Sequence, residues 1–265
     1  MRSSGRLFVV GLLVLGSSFQ APALELLVNP GFEDPTPLLG WTVSNLTIPP
    51  SPSLGTFQLG TGVVSPLSGH PTAGPHGGTQ YAISDQNNSG AAGAHALSQL
   101  FTIPGPSQLI TLSFWIFVND QRNALPEAES KGFDYTGASS PNARTRVDLL
   151  LGSATIFSLN PADIVSNRYS GNGLLNNQAP SMGGCNIAAP PFYCPWQFVT
   201  LDITNLVTPG QQYLLRFADV ISENFYQTGV DDVSVNFLVP EPGTLMLCGL
   251  GLLGAGVWRR RKRAE

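Results

Sequence analysis

The stretch Gln108-Leu109-Ile110-Thr111-Leu112-Ser113-Phe114-Trp115-Ile116-Phe117-Val118-Asn119-Asp120 decides the fold class. Its apolar residues recur with period two, so Leu112, Phe114, Ile116 and Val118 fall on one side of an extended chain. Thr111, Ser113 and Asn119 fall on the other side, which Trp115 and Phe117 share. Two large aromatics on the otherwise polar side predict a strand covered on both faces, near the centre of a sandwich.

The same alternation recurs outward from this stretch. In residues 211–220, Tyr213, Leu215 and Phe217 alternate with Leu214, Arg216 and Ala218. In 229–237, Val233, Val235 and Phe237 alternate with Asp232, Ser234 and Asn236. Residues 79–84, 96–103, 144–151 and 197–203 read as further strands. Turn signals stand between them: Pro104-Gly105-Pro106, Asn119-Asp120, Asn160-Pro161 and Pro209-Gly210. With 29 Gly and 22 Pro in 265 residues and no convincing amphipathic helix, the chain is predicted to be all-β, a β-sandwich. Long loops are expected at 49–78, 121–142 and 160–195.

The two ends differ from the middle. Arg2 and Arg6 precede an apolar run from Leu7 to Leu15, and Ala21-Pro22-Ala23 gives the small-x-small pattern of a cleavage site. Residues 1–23 therefore read as a secretory signal peptide with a mature start near Leu24; an uncleaved anchor is the alternative. Residues 239–265 carry Pro240-Glu241-Pro242, an apolar run from Thr244 to Trp258, and Arg259-Arg260-Arg261-Lys262-Arg263. As a helix the run is about 22 Å long, short for a hydrocarbon core of about 30 Å. The basic cluster is expected to hold the end of the tail on the cytoplasmic side. Pro-Glu-Pro, a short apolar helix and an Arg-rich end resemble the PEP-CTERM sorting domain of Gram-negative bacteria. The resemblance implies recognition of Pro240, Glu241 and Pro242 by an exosortase, transient membrane insertion of the tail, a cell-surface or extracellular destination and an exopolysaccharide-producing host. An ordinary tail anchor is the alternative.

Between these signals lies one region, 24–238, with no evident linker or repeat. Seven of the 13 basic residues sit in the terminal signals, and the middle is strongly acidic. That balance argues against nucleic-acid binding. Cys185 and Cys194 are expected to form a disulfide in an oxidising compartment, worth about 2–3 kcal/mol for so small a loop.

Asn29-Pro30-Gly31-Phe32-Glu33 with Gly40-Trp41 opens the region, and Thr228-Gly229-Val230-Asp231-Asp232-Val233-Ser234-Val235 closes it. The pair resembles the galactose-binding-like jelly roll of carbohydrate-binding modules. That resemblance implies a jelly-roll sandwich with a structural Ca²⁺ between the ends, held by Glu33 and Asp231; exposed turn carboxylates are the alternative. Alternation points Asp232 away from Asp231 unless a bulge intervenes. Trp41 is expected in the core. Phe133, Tyr135, Tyr169, Phe225 and Tyr226 fall in loops or at strand ends, where a sugar-stacking surface can form.

No catalytic residue is assigned. His70, His76 and His95 form no His-Glu-x-x-His motif, and neither a Gly-x-Ser-x-Gly elbow nor a phosphate loop is present. Three functions stay open. The first is a non-catalytic surface or matrix protein associated with exopolysaccharide or biofilm. The second is a module binding a defined glycan, which a clustered aromatic platform would favour. The third is a hydrolase, which an aligned His or carboxylate pair in a pocket would favour.

Overall fold

Alternating sequence becomes strand throughout the middle of the chain. The computed structural model describes residues 23–47, 55–86, 93–107, 109–120, 135, 143–170, 185–186, 192–221 and 226–238. In chain order the strands are β1 (Ala23–Glu25), β2 (Thr42–Thr47), β3 (Thr56–Gly60), β4 (Tyr81–Asp85), β5 (Gly93–Thr102), β6 (Leu109–Asp120), β7 (Ala143–Leu151), β8 (Ile164–Ser170), β9 (Cys185–Asn186), β10 (Gln197–Asp202), β11 (Gln212–Ile221) and β12 (Tyr226–Leu238). They form a jelly-roll β-sandwich. The first sheet runs β10-β6-β12-β4-β3, with β1 added to β12 and β9 to β6; the second runs β2-β5-β11-β7-β8. Residues 1–22 of the expected signal peptide, and the expected sorting tail with its apolar helix, lie outside the described residues; Ala23, the last residue of that expected peptide, opens β1.

The predicted core face of β6 is the core. Leu112, Phe114, Ile116 and Val118 are buried between the sheets against Val233, Val235 and Phe237 of β12 and Leu215 and Phe217 of β11. Phe114 meets Phe217 edge to face across the sandwich, with ring centroids 5.2 Å apart at 86°. Such a pair adds about 0.5–1.5 kcal/mol beyond its buried area. Trp41 is core as expected, 7% exposed, packed on Phe32 and Phe217, with its indole N–H donated to the Asn29 carbonyl.

Two expected loops contain strands. Segment 49–78 holds β3, and 160–195 holds β8 and β9. β3 and β8 each cling to a sheet edge, where half the backbone ladder is open and side-chain alternation is weakly enforced. The outer face of the second sheet is covered. Arg216 of β11 is fully buried there, bonded to Asp148 of β7 and to the carbonyls of Ile156 and Ser158. Tyr135 lies on this layer, its ring against Phe157 and beneath the Arg216 guanidinium.

Candidate functional site

The outer face of the first sheet carries the site. One row across β12, β6 and β10 places Asp231, Trp115 and Phe198 side by side. Trp115 is half-buried and Phe198 is 50% exposed; their rings lie 5.1 Å apart at 40°. His76, from the segment between β3 and β4, stacks on Trp115 with centroids 3.8 Å apart at 20°. Trp196, one residue before β10, meets His76 edge-on at 6.0 Å. Three aromatic rings thus stack in series on an open sheet face, with Trp196 edge-on at one end.

This corrects the expectation that the second face of β6 is covered along its length. Phe117 is covered: it is 1% exposed, under Trp196 at 4.6 Å and beside Tyr81. It fits there because position 229, opposite it, is glycine; a Cβ at Gly229 would stand 2.1 Å from the Phe117 ring. The cover ends one pleat later, so Trp115 faces outward beside Phe198. Among the described residues, the signal that points to this site is an indole on the polar side of β6, followed in β10 by an outward phenylalanine.

The acidic pair at the closing strand holds His76 in place. A bulge between Asp231 and Ser234, with Asp232 at φ 47°, turns both carboxylates toward the same segment. Asp231 Oδ2 accepts the N–H groups of His76 (2.8 Å) and Gly77 (3.1 Å), and Oδ1 accepts that of Asp232 (2.8 Å). Asp232 Oδ2 lies 2.7 Å from His76 Nδ1. A side chain at Gly77 would sit 2.8 Å from both Asp232 oxygens, so this close approach needs glycine. Burial pushes the Asp231 carboxyl up to about 6, against the lowering effect of the Gly77, Asp232 and His76 N–H groups. Glu33 grips the next residues, accepting the Thr79 and Gln80 N–H groups at 2.8 and 2.7 Å and the Thr79 hydroxyl at 2.8 Å. Desolvation raises its carboxyl, but these bonds together outweigh it and leave the group below its ordinary value.

These contacts bear on calcium. Ca²⁺ takes six to eight hard oxygen ligands. Here all four carboxylate oxygens of Glu33 and Asp231 face N–H or O–H donors, and the two side chains grip successive parts of 76–80. Among the described residues no three His, Cys, Asp or Glu side chains converge as a metal would require. The residues as placed do not fit a shared cation.

A buried polar relay pins the opposite flank. Asn119 accepts the Cys194 N–H at 2.8 Å and donates to Gln227 Oε1 at 3.0 Å. Gln227 donates to Asp85 Oδ1 at 3.0 Å, and Asp85 Oδ2 accepts the N–H groups of Leu67 and Ser68. Cys194 is disulfide-bonded. The backbone of Cys185, its expected partner, pairs with Asn119, and its side chain lies outside the described residues.

Of the five expected stacking aromatics, Tyr226 and Tyr135 have described side chains, and both are buried. Tyr226 is 3% exposed, pointing between the sheets with its hydroxyl 2.8 Å from Thr145 Oγ1. Tyr135 is 4% exposed under the layer on the second sheet. Both are apolar rings drawn inward, so neither offers a face to a ligand. Phe133 and Phe225 lie outside the described residues, as does the side chain of Tyr169 in β8. So do Pro240, Glu241 and Pro242.

Inside the sandwich, His95 of β5 pairs across the ladder with Asp219 of β11, and both are fully buried. Burial pushes His95 down to about 4 and Asp219 up to about 7, the latter against hydrogen bonds from Ser84, Thr228 and His95. Ser84 donates its hydroxyl to Asp219, not to His95, while His95 Nδ1 lies 3.0 Å from Asn45 Oδ1. A serine bonded directly to a carboxyl group has no imidazole base to activate it, so this buried cluster lacks the relay of a hydrolase triad.

The chain is similar in fold to several solved structures. TmCBM61 in complex with β-1,4-galactotriose shares 12% identity over 80% of this chain and 97% of its own, with a TM-score of 0.41. The CBM22-1 xylan-binding domain of Paenibacillus barcinonensis Xyn10C shares 9% identity over 83% and 97%, with a TM-score of 0.40. A Stig cyclase from Fischerella sp. TAU shares 16% over 83% and 100%, with a TM-score of 0.44. Comparison with curated protein sequences gives no match. Residues 238–262, beginning at the last residue of β12, match the PEP-CTERM protein-sorting motif, and the motif marks the chain as an exported, surface-targeted protein.

Proposed function

We propose that the exported domain binds glycan through the aromatic row on the outer face of its first sheet. The observation that carries this is Trp115 in ring contact with Phe198 on one side and His76 on the other, on a face where Phe198 is half exposed. Burying such rings is favourable, and water normally opposes leaving them open; an exposed aromatic cluster marks a binding surface. The apolar faces of sugar rings suit a rigid row of this kind, and Asp232 at its edge offers acceptor oxygens for sugar hydroxyls. The row is pre-organised by Asp231, Asp232 and the Asn119 relay, which lowers the ordering cost of binding.

The domain then attaches the protein to exopolysaccharide at the cell surface. Its tail inserts transiently in the membrane and is processed by an exosortase at Pro240-Glu241-Pro242. Two experiments test these parts separately. Electrophoresis of the exported protein through gels containing host exopolysaccharide should retard the wild type and not Phe198→Ala; equal mobility of the two would remove the binding function. The mass of the surface-recovered product should fall short of a chain ending at Glu265, and a full-length C-terminus would replace processing by anchoring.

A further inference from the structure

The aromatic row is one of three on the same open face. Two residues further along β6, Ser234, Ser113 and Thr200 stand side by side, and beyond them Asn236, Thr111 and Asp202. Rows two residues apart are spaced about 7 Å along a strand. Ser234 donates to Glu25 Oε2 and accepts from Asn236, whereas the hydroxyls of Thr111, Ser113 and Thr200 have no protein partner among the described residues. All five Ser, Thr and Asn residues in the two rows are half-buried or exposed. A stacking row thus continues into a ladder of uncharged donors and acceptors.

Among the described residues, the Lys, Arg, Asp and Glu charges of this sheet have one sign. No Lys or Arg occurs between Arg6 and Arg122, nor between Arg168 and Arg216. The described basic residues Arg144, Arg146, Arg168 and Arg216 all belong to β7, β8 and β11 of the other sheet. The first sheet presents Glu25, Asp202 and Asp232 instead. A carboxylated or sulfated chain laid on this face would meet like charge with no Lys or Arg among the described residues to pair it.

Resting on the glycan-binding function above, we infer that the ligand is an uncharged polysaccharide. It lies along β6, with sugar rings on Trp115 and Phe198 and its hydroxyls on the Ser113, Thr200 and Thr111 ladder. An open ladder engages an internal stretch of chain, so affinity grows with chain length.

The test titrates the exported protein, as recovered from the cell surface, with a neutral polysaccharide and with its uronate counterpart of equal linkage and length, at low and high salt. The neutral chain is expected to bind roughly tenfold or more tightly than the uronate at low salt, with the gap narrowing as salt screens the carboxylates. Thr200→Lys should narrow the gap at low salt, and a disaccharide should bind more weakly than longer neutral chains. Uronate binding equal to or tighter than neutral binding overturns the ligand class while leaving glycan binding intact. A disaccharide as tight as a long chain overturns the extended mode. No binding by either polymer, with Phe198→Ala indistinguishable from wild type, removes glycan binding itself. A self-association lost in Phe198→Ala would assign the face to a second copy and overturn the inference.

Discussion

His76 lies nearly parallel on Trp115, with ring centroids 3.8 Å apart, and its ring nitrogen sits 2.7 Å from Asp232. One contact extends the aromatic row and the other fixes the imidazole that extends it. His76→Ala should therefore weaken glycan binding by about three- to tenfold, the worth of one aromatic contact. Because the residue is exposed, the unfolding midpoint should stay within about 2 °C of wild type. Calorimetric titration beside a thermal melt checks both, and a large drop in midpoint with unchanged affinity would make His76 purely structural.

Asp231 is the buried hub of this arrangement. Asp231→Ala strips three N–H groups of their acceptor, and each unsatisfied buried donor costs about 1–3 kcal/mol. The variant should unfold several degrees lower and lose glycan binding together, whereas Asp231→Asn, which keeps one acceptor oxygen, should retain part of both. Equal melts for the two variants would contradict this role.

Calcium removal gives a separate check. With the Glu33 and Asp231 oxygens already facing N–H and O–H donors, adding a chelator should leave the unfolding midpoint unchanged. A fall of several degrees, restored by calcium, would mean that a cation displaces those donors.

The buried pair between the sheets predicts a pH dependence. Asp219 keeps its proton to about pH 7 in the folded chain but releases it near 3.8 when unfolded. Its stabilising effect is complete below about pH 4 and declines as pH rises toward 7. His95, with its pKa lowered to about 4 from 6.5, contributes the opposite trend between those values. Asp219→Asn removes only the first. Wild-type stability minus that of the variant should decline between pH 4 and 7, by at most about 1.4 kcal/mol per unit. Denaturant melts across pH 4–8 measure it, and parallel curves would place Asp219 in an ordinary ionised state.

What the sequence revealed and what it hid have physical causes. β6, β11 and β12 lie centrally in their sheets with one face in the core, and strong alternation marks them. β2, whose residues are exposed or half-buried, sits at an edge where little enforces a pattern. Asp231 and Asp232 were legible as a pair, but their common direction depends on a bulge that the sequence does not announce. Trp115 was legible as pointing away from the core. Where the cover over that face stops, between Phe117 and Trp115, depends on Trp196 and on segment 72–81, which are distant in sequence. Tyr135 and Tyr226 sit in segments expected to be loops or strand ends, yet tertiary packing buries both rings.

The central claim is that the outer face of the first sheet is the binding surface. Its most direct test is calorimetric titration of Trp115→Ala with the polysaccharide that the wild type binds, beside Leu151→Ala, a substitution at an exposed residue of the opposite sheet. Saturable binding by wild type and Leu151→Ala, lost in a folded Trp115→Ala, is the predicted result. Undiminished binding by Trp115→Ala would contradict the claim and move the search to the other face.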